Sequence, residues 1–510
     1  MSIYDAAVRQ AAIRRQNLTR GQRRSTRLTL PPPLKGLNTR SPINQLGPDE
    51  AYELTNFIPD AGYLRLREGS TLVTVGVPST EIGKLMTWSY QGADRLLWSF
   101  GYTGGYILMT TDGLTTDPRI LNGTDWACAM MNGLLGMVNG QDQPTIFDGT
   151  DFFLMTTTGP ANPSTLSGIK IFKSRSYFWA NGELGFWYSA VNALGGTLTR
   201  FPLETVSQKG GAVMSINAWS RDSGSGPDDF LVITTTKGEV LVYQGSNPSD
   251  PNDWAIVGRF QIGVPIDRNA FLELDGRIFV LTQTDLEMIP DNFVRQQPLS
   301  RLSGAIRANY QDYGSTGRYT LFYDQVRDRI LLNIPMGQGR FDQLVKTTFG
   351  YTRFTGINAV HYVMYNNEVH FVTPTALFKW GGAKDRLGAE TVADITFSAK
   401  TGYGMLGGNS EKRVSMYRPN MKSSGSVTLT TALDFDHKGR YLPVQTTGQN
   451  QSTAWGSPWG SPWSNSTSDR GDWLVGCGTG QTISLSLSGS CPISLEWMGT
   501  DYELVPGGLY

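Results

Sequence analysis

The sequence is poor in the residues that build most catalytic and metal centres. Only three histidines (His361, His370 and His437) occur among 510 residues. His361 and His370 lie nine residues apart, within or beside predicted strands, with no cysteine or carboxylate at metal-ligand spacing. No serine-nucleophile elbow, phosphate-binding loop or dinucleotide fingerprint occurs either. We therefore predict no catalytic residues, no bound metal and no cofactor.

Cysteine and long apolar runs are scarce as well. The three cysteines, Cys128, Cys477 and Cys491, are too few for a disulfide framework. Cys477 and Cys491 flank a predicted strand and could be neighbours, but buried reduced thiols are the better interpretation. No apolar run is long enough to span a bilayer, and no signal peptide opens the chain. These features predict a protein that is synthesised in a cytoplasm.

The net charge of the chain is zero, but the charged residues are unevenly distributed along it. Residues 1–30 contain one acid, Asp5, and seven arginines, which gives this segment a charge of +6 and leaves −6 for the rest. The arginines are Arg9, Arg14, Arg15, Arg20, Arg23, Arg24 and Arg27. We predict a basic arm, helical from Ile3 to Gln16, that docks on an acidic protein or nucleic acid. A disordered tail without a specific partner is the alternative.

Glycine and aromatic residues are abundant, and they recur in a pattern. The 59 glycines and the 11% of aromatic residues favour an all-β protein. Seven apolar hairpin patterns start 38 to 53 residues apart, and the clearest runs from Glu368 to Gly382. The others start at Asp94, Asn132, Ser176, Asp229, Gly276 and Asp328. This period predicts an irregular β-propeller of six or seven blades.

The period ends near Ile395, where five longer strand patterns begin. Two of them alternate cleanly, with one face formed by Val427, Leu429, Thr431 and Leu433 and another by Ile483, Leu485 and Leu487. A chain of 510 residues also exceeds what one core usually supports. We predict a basic arm (1–30), an extended lead-in (31–79), a propeller (80–390) and an antiparallel β-sandwich platform (391–510).

Three tryptophans, Trp455, Trp459 and Trp463, recur every four residues within the platform. Pro458 and Pro462 exclude a regular helix there, so we predict a loop. Exposed aromatic clusters mark contact surfaces, which makes these tryptophans candidates for partner binding. The alternative is a loop that folds back on its own sheet.

The lead-in contains a short polar helix pattern at Pro48–Asn56 and a strand pattern at Tyr63–Arg67. The strand should place Leu64 and Leu66 inward and Arg65 and Arg67 outward.

Three lead-in motifs resemble a known family: KGLNTR (with Gly36–Arg40), A-x-x-L-x-N-F-x-P (Ala51–Pro59) and G-x-L-x-L-R-x-G (Gly62–Gly69). Two segments near the other end of the chain resemble the same family: EKRVSMYRP (Glu411–Pro419) and DYELVPGGL (Asp501–Leu509). They are similar to segments of the tail nozzle proteins of short-tailed double-stranded DNA phages, also called tail tubular protein B-like or packaged-DNA stabilisation proteins.

The resemblance implies a structural virion protein of the phage tail. Its members would form a hexameric ring that encloses the DNA channel, retains the packaged genome and conducts it during ejection. The implied partners are the adaptor ring (head-to-tail connector), tail fibres or spikes, and genomic DNA that passes without sequence-specific binding. Contact with the host envelope would occur at the distal tip.

Two other classes remain as alternatives. Propellers also house glycan hydrolases, whose paired carboxylates meet only in three dimensions, and receptor-binding adhesins. The segment around Asp112 and Gly113 is similar to a sialidase Asp-box turn, but a plain turn explains it. Asp222, Asp228 and Asp229 could bind calcium, although a flexible loop is the better interpretation.

Overall fold

The computed structural model describes residues 25–75, 83–102, 104–222, 227–289, 300–314, 318–386, 391–408, 410–423, 427–439, 445–449 and 473–506. These residues form two compact units. One contains Asn38–Arg40 and Arg67–Ile395, and the other contains the described residues up to Leu37, Ser41–Leu66 and those from Thr396 onward. Strands are numbered β1 to β42 along the chain.

The larger unit is a β-propeller, which confirms the predicted fold class. Its described residues form seven successive antiparallel groups of three or four strands, which we call sheets here. From the second sheet to the seventh, the first strands of consecutive sheets pack side by side, and the first strand of the seventh sheet packs against that of the first.

The first sheet contains β6 (Lys84–Tyr90), β7 (Ala93–Tyr102) and β8 (Gly105–Thr110), and the second contains β9 (Ala127–Met131), β10 (Leu134–Val138), β11 (Thr145–Phe147) and β12 (Phe152–Leu154). The third contains β14 (Leu166–Phe172), β15 (Arg175–Ala180), β16 (Gly185–Tyr188) and β18 (Thr199–Pro202), the fourth contains β19 (Val213–Asp222), β20 (Pro227–Thr235), β21 (Glu239–Gln244) and β22 (Ala255–Gln261), and the fifth contains β23 (Phe271–Leu274), β24 (Arg277–Leu281) and β25 (Leu286–Ile289). The sixth contains β26 (Thr320–Asp324), β27 (Arg329–Pro335), β28 (Phe341–Thr347) and β29 (Tyr351–Phe354), and the seventh contains β30 (His361–Tyr365), β31 (Glu368–Val372), β32 (Ala376–Trp380) and β5 (Ser70–Val75). Two short pairs, β13 (Thr157–Thr158) with β17 (Gly196–Thr197) and β33 (Asp385–Arg386) with β34 (Val392–Ala393), complete the strands of this unit.

All seven predicted hairpins are confirmed, and each is the second and third strand of one sheet. The reason is local: a buried alternating strand, a tight turn and a second buried strand lie within one stretch of chain. Apolar clusters then fill the spaces between neighbouring sheets. For example, Trp179, Leu231 and Trp254 belong to one buried cluster that joins the third and fourth sheets.

The propeller also contains a helix that the sequence pattern did not reveal, α1 (Ser303–Tyr313). Thr39 lies beside its first turn, where the threonine hydroxyl accepts a hydrogen bond from the Ala305 amide (3.0 Å). The Thr39 amide and hydroxyl in turn donate to the Arg301 carbonyl. A residue of the first lead-in motif therefore supplies a partner for the otherwise unpaired amides of a helix start.

The smaller unit is an antiparallel β-sandwich. One sheet contains β1 (Thr26–Leu30), β3 (Phe57–Pro59), β4 (Leu64–Leu66), β37 (Lys412–Ser423), β40 (Leu474–Gly480) and β42 (Leu495–Pro506). The other contains β2 (Ala51–Thr55), β35 (Ile395–Thr401), β36 (Gly404–Met405), β38 (Val427–Phe435), β39 (Gln445–Gln449) and β41 (Thr482–Cys491). Between the sheets, the Phe57 ring lies 5.1 Å from Phe397 and 6.2 Å from Trp497.

The five predicted long strands are confirmed as β35, β37, β38, β41 and β42. Their alternation is also confirmed, because Leu429, Leu433 and Leu485 are buried between the sheets as the pattern requires. Among the cysteines, Cys128 and Cys491 carry free thiols, and the Cys477 side chain lies outside the described residues.

Two lead-in predictions are wrong. The segment predicted as a polar helix at Pro48–Asn56 contains strand β2, which pairs with β35 and buries Ala51 and Leu54. Tertiary pairing outweighs the weak helix propensity of this short polar stretch. Arg67, predicted to face outward, is 1% exposed. It is buried because a carboxylate that is distant in sequence pairs with it.

Arg67 anchors the strand that closes the propeller. Its guanidinium donates two parallel hydrogen bonds to the Asp385 carboxylate (2.7 and 2.5 Å) and one to the Thr355 carbonyl (2.7 Å). Immediately afterwards, Gly69 approaches the chain so closely that a Cβ atom would lie 2.0 Å from the Lys384 carbonyl oxygen. Strand β5 then pairs with β32 along its length. The arginine and final glycine of G-x-L-x-L-R-x-G therefore have a structural role in ring closure.

Replacing Arg67 with alanine should destabilise the propeller by about 3–5 kcal/mol, because Asp385 would remain buried without its cation. Arg65→Ala is the matched control, since the side chains of Arg65 and Asp60, which lie 3.3 Å apart, are 31% and 29% exposed. Solvent weakens such a pair, so the loss of Arg65 should cost less than about 1 kcal/mol. Urea denaturation followed by tryptophan fluorescence measures both. Equal losses for the two variants would contradict the assigned role of Arg67.

Candidate partner-binding site and axial network

Most residues predicted to bind partners lie outside the described part of the chain. They are Arg9, Arg14, Arg15, Arg20, Arg23, Arg24, Trp455, Trp459 and Trp463, and the helix predicted at Ile3–Gln16 also lies there. Arg27 is described. It lies in β1, opposite Glu503 of β42, on one sheet of the sandwich.

Arg27 forms a cluster with two residues that the sequence did not single out. Its guanidinium carbon lies 5.4 Å from the ring centre of Trp473, and that of Arg418 lies 4.6 Å from the same ring. Such contacts are attractive because the negative face of an indole ring meets a cation. We call Arg27, Trp473 and Arg418 the Arg–Trp–Arg cluster. Arg27 was predicted from the charge of the arm, whereas no pattern in the sequence linked Trp473 or Arg418 to it.

A carboxylate fixes the cluster in place. Arg418 donates to Asp501 (2.7 Å), and the Thr29 hydroxyl donates to the same carboxylate (2.7 Å). Burial opposes ionisation of Asp501, but the hydrogen bonds from Thr29 and Arg418 prevail and lower its pKa. Asp501 therefore holds the strand after the basic arm and the strand that carries Arg418 in register.

The cluster brings together the starting points of both predicted contact segments. Arg27 is three residues from Arg24 along the chain, and Trp473 directly follows residues 450–472, which contain the three predicted tryptophans. The sequence gave no reason to place these segments near each other. One surface of the sandwich thus carries the attachment points of a cationic segment and an aromatic segment, which is the composition of many protein-binding surfaces.

A second concentration of charge lies at the axis of the propeller. Arg268 lies just before β23 of the fifth sheet, and Asp125 lies just before β9 of the second sheet. The Arg268 guanidinium donates two hydrogen bonds to the Asp125 carboxylate (3.0 and 2.6 Å). It also donates to the Ser167 carbonyl in the third sheet (2.7 Å). The Lys84 ammonium group, from the first sheet, donates to the Asp125 carboxylate (3.3 Å) and to the side-chain amide oxygen of Asn269 (2.7 Å). These side chains join non-adjacent sheets, so they cross the axis. We call Lys84, Asp125, Arg268 and Asn269 the axial network.

The ionisation of the axial network follows from its environment. Burial opposes the charge of Asp125, but Lys84, Arg268 and Arg318 hold its pKa far below the ordinary range. Burial raises the pKa of Asp267, and its neighbour Asp125 adds to the effect. Burial and then Lys84 lower the pKa of His361 to about 3.

Asp125 and Asp267 have opposite pKa shifts, as the acid and base of a glycosidase do. Their carboxylate oxygens, however, already accept hydrogen bonds from neighbouring groups of the protein. Asp125 accepts from Arg268, Lys84 and Asn269. Asp267 accepts from the amides of Asn269 (2.9 Å) and Tyr319 (3.3 Å). The two carboxylates therefore serve to join elements of different sheets.

The other candidate sites can be placed as well. Asp112 accepts hydrogen bonds from the Thr110 hydroxyl (2.5 Å) and the Leu114 amide (3.0 Å), and Gly113 has a φ of 72°, which confirms a turn. Asp229 accepts from Ser220 (2.6 Å) across a strand pair. Within the described ranges, no group of three or more histidine, cysteine or acidic residues could hold a metal ion. No helix in those ranges is long and apolar enough to cross a membrane.

Lowering the pH should destabilise the propeller through His361. The pKa of His361 is about 3 in the folded chain and about 6.5 when unfolded, so the unfolded state binds more protons between these values. Stability is therefore retained above pH 6.5 and lost as the pH falls below it. From pH 6.5 to 5.0, the wild type should lose about 2 kcal/mol more than His361→Asn.

The measurement is urea denaturation at both pH values, with His437→Asn in the sandwich as the control for the substitution itself. An identical pH dependence for the wild type and His361→Asn would contradict the prediction.

Comparison with known proteins gives similarity of fold without a family. No family model and no curated protein matches the chain. Among solved structures, it is similar to the WD40 propeller domain of Doa1 (8% identity, 63% of this chain and 97% of that chain, TM-score 0.36). It is also similar to BBS1N from a complex with ARL6DN (9%, 62% and 97%, TM-score 0.41) and to the computationally designed Ika8 protein (10%, 64% and 96%, TM-score 0.36). At these identities the likeness concerns the fold alone.

Proposed function

We propose that the protein is a structural virion component, the tail nozzle subunit of a short-tailed double-stranded DNA phage. In this role it forms a hexameric ring around the DNA channel, retains the packaged genome, conducts it during ejection and connects the adaptor ring to distal tail parts. The tail is its place in the virion. Fibres or spikes and the host envelope are its outer contacts.

The observation that carries the proposal is the pairing of motif segments from opposite ends of the chain. Leu64, in the third lead-in motif, pairs with Trp497 of β42, the strand that continues into the last motif. In the same sheet, Arg418 of EKRVSMYRP pairs with Asp501 of DYELVPGGL. Part of the third lead-in motif and both C-terminal motifs thus meet in one sheet, as expected if they belong to one structural module.

The Arg–Trp–Arg cluster supports a docking role for this module. Arg27, which follows six arginines in the sequence, lies against Trp473, which follows the tryptophan-containing segment. Arginine and tryptophan are enriched among the residues that dominate binding energy at protein interfaces. The adaptor ring is the partner that this surface would bind.

Deleting residues 1–24 should weaken binding to the adaptor ring roughly 100-fold, because six exposed ion pairs contribute about 0.5 kcal/mol each. The loss should shrink at 0.5 M salt, since exposed charges are then screened. Binding of purified rings by biolayer interferometry, with electron microscopy to count subunits, measures the effect. Arg340→Gln, which removes one exposed arginine of the propeller, is the control.

Two outcomes would contradict the proposal. Unchanged adaptor binding after the deletion would exclude the docking role of the arm. A wild-type protein that stays monomeric with or without the adaptor, or that cleaves host surface glycans, would exclude the nozzle and favour an adhesin or a hydrolase.

A further inference from the structure

A cavity of about 180 Å³ lies in the last sheet of the propeller, where β5 closes the ring. Its lining includes the polar residues Ser70, Asn358 and Arg386 and the apolar residues Ile357, Phe371 and Pro374. None of these belongs to the axial network or to the sandwich. The cavity is large enough for a small organic ligand, since a cavity of about 150 Å³ can hold benzene.

The polar lining of the cavity includes groups that can donate hydrogen bonds. The Asn358 carbonyl oxygen already accepts from the Phe341 amide (2.8 Å), which leaves the side-chain NH₂ group to donate. The Ser70 oxygen accepts from the Arg386 amide (3.0 Å), which leaves its O–H to donate. These donors favour a ligand that accepts hydrogen bonds.

Arg386 supplies a positive charge that the described residues do not neutralise. Its guanidinium makes no ion pair within that part of the chain. The adjacent carboxylate, Asp385, is committed to Arg67 through both of its oxygens. A half-buried arginine beside donors favours an anion, and its planar fork matches a carboxylate.

We propose that this cavity binds a small carboxylate with an apolar body. The carboxylate accepts hydrogen bonds from Arg386 and Asn358, and the apolar body packs against Phe371 and Pro374. A single cation suits one negative charge better than the two of a phosphate. The proposal is independent of the nozzle function, because it depends only on the lining of this cavity.

Benzoate is a suitable probe, and benzamide is its uncharged counterpart. Isothermal titration of the full chain should give a Kd for benzoate of about 1 mM, within the usual range for a ligand of this size. Benzamide should bind at least tenfold more weakly. A short peptide, acetyl-Gly-Phe with a free carboxylate, tests whether the natural carboxylate is a peptide C-terminus instead of a free small molecule.

Three variants make the test specific. Arg386→Gln should weaken benzoate binding at least tenfold, Arg386→Lys should weaken it less, and Arg340→Gln should leave it unchanged. The melting temperature of each variant checks that the propeller remains folded. Binding of acetyl-Gly-Phe but not of benzoate would identify a peptide terminus as the carboxylate source. Equal binding of benzoate and benzamide, no effect of Arg386→Gln, or no binding of either carboxylate would overturn the proposal.

Discussion

The pairing of β5 with β32 is the constraint on which the propeller depends. Each sheet has two apolar faces that only neighbouring sheets can cover, so an open ring would leave one face of its first and last sheets exposed to water. The chain closes the ring by placing an early strand, Ser70–Val75, at the edge of the sheet formed by His361–Trp380. Nearly the whole propeller separates the two partners, so chain entropy opposes this contact more than any local hairpin.

The Arg67–Asp385 pair makes this distant contact specific. A buried ion pair brings little net stability, because desolvation offsets most of the attraction, but each partner makes the other indispensable. Nearby, Arg329 forms a second long-range ion pair, with Glu68 (3.5 Å). It also donates to its sequence neighbour Asp324 (2.9 Å) and lies over the rings of Trp380 (4.6 Å) and Phe354 (5.3 Å). Burial is the main cause that lowers the pKa of Arg329, and Glu68 and Asp324 oppose it. Charges inside this propeller therefore connect segments that are remote in sequence.

Carboxylates also fasten the linkers between sheets. Asp142 accepts hydrogen bonds from the amides of Asn122 (2.8 Å) and Gly123 (3.1 Å), which lead into its own sheet. Glu239 does the same for the amides of Gln208 (2.9 Å) and Lys209 (3.0 Å). Linker amides have no strand to pair with, and a charged acceptor satisfies several of them at once. The axial network extends this principle across the ring.

These interactions explain which parts of the structure the sequence could reveal. The seven hairpins and strands such as β38 were predictable because alternation and turn residues lie within one short stretch. Strand β2 was mistaken for a helix because its partner, β35, lies more than three hundred residues away. Arg67 was placed outward for the same reason, since no local pattern indicates Asp385. At the candidate site, Arg27 was found from charge alone, whereas its contact with Trp473 required the fold.

The two candidate binding regions differ in the chemistry that they can offer. The guanidinium groups of Arg27 and Arg418 both lie near the ring of Trp473. A partner would therefore contact two cations beside an aromatic ring, which suits an extended acidic protein surface. Arg386 instead lies in a small cavity with few donors, which suits one compact anion. Salt should therefore act differently on them, because screening weakens many exposed ion pairs together but weakens a partly enclosed pair much less. Ionic strength thus separates the two regions without any substitution.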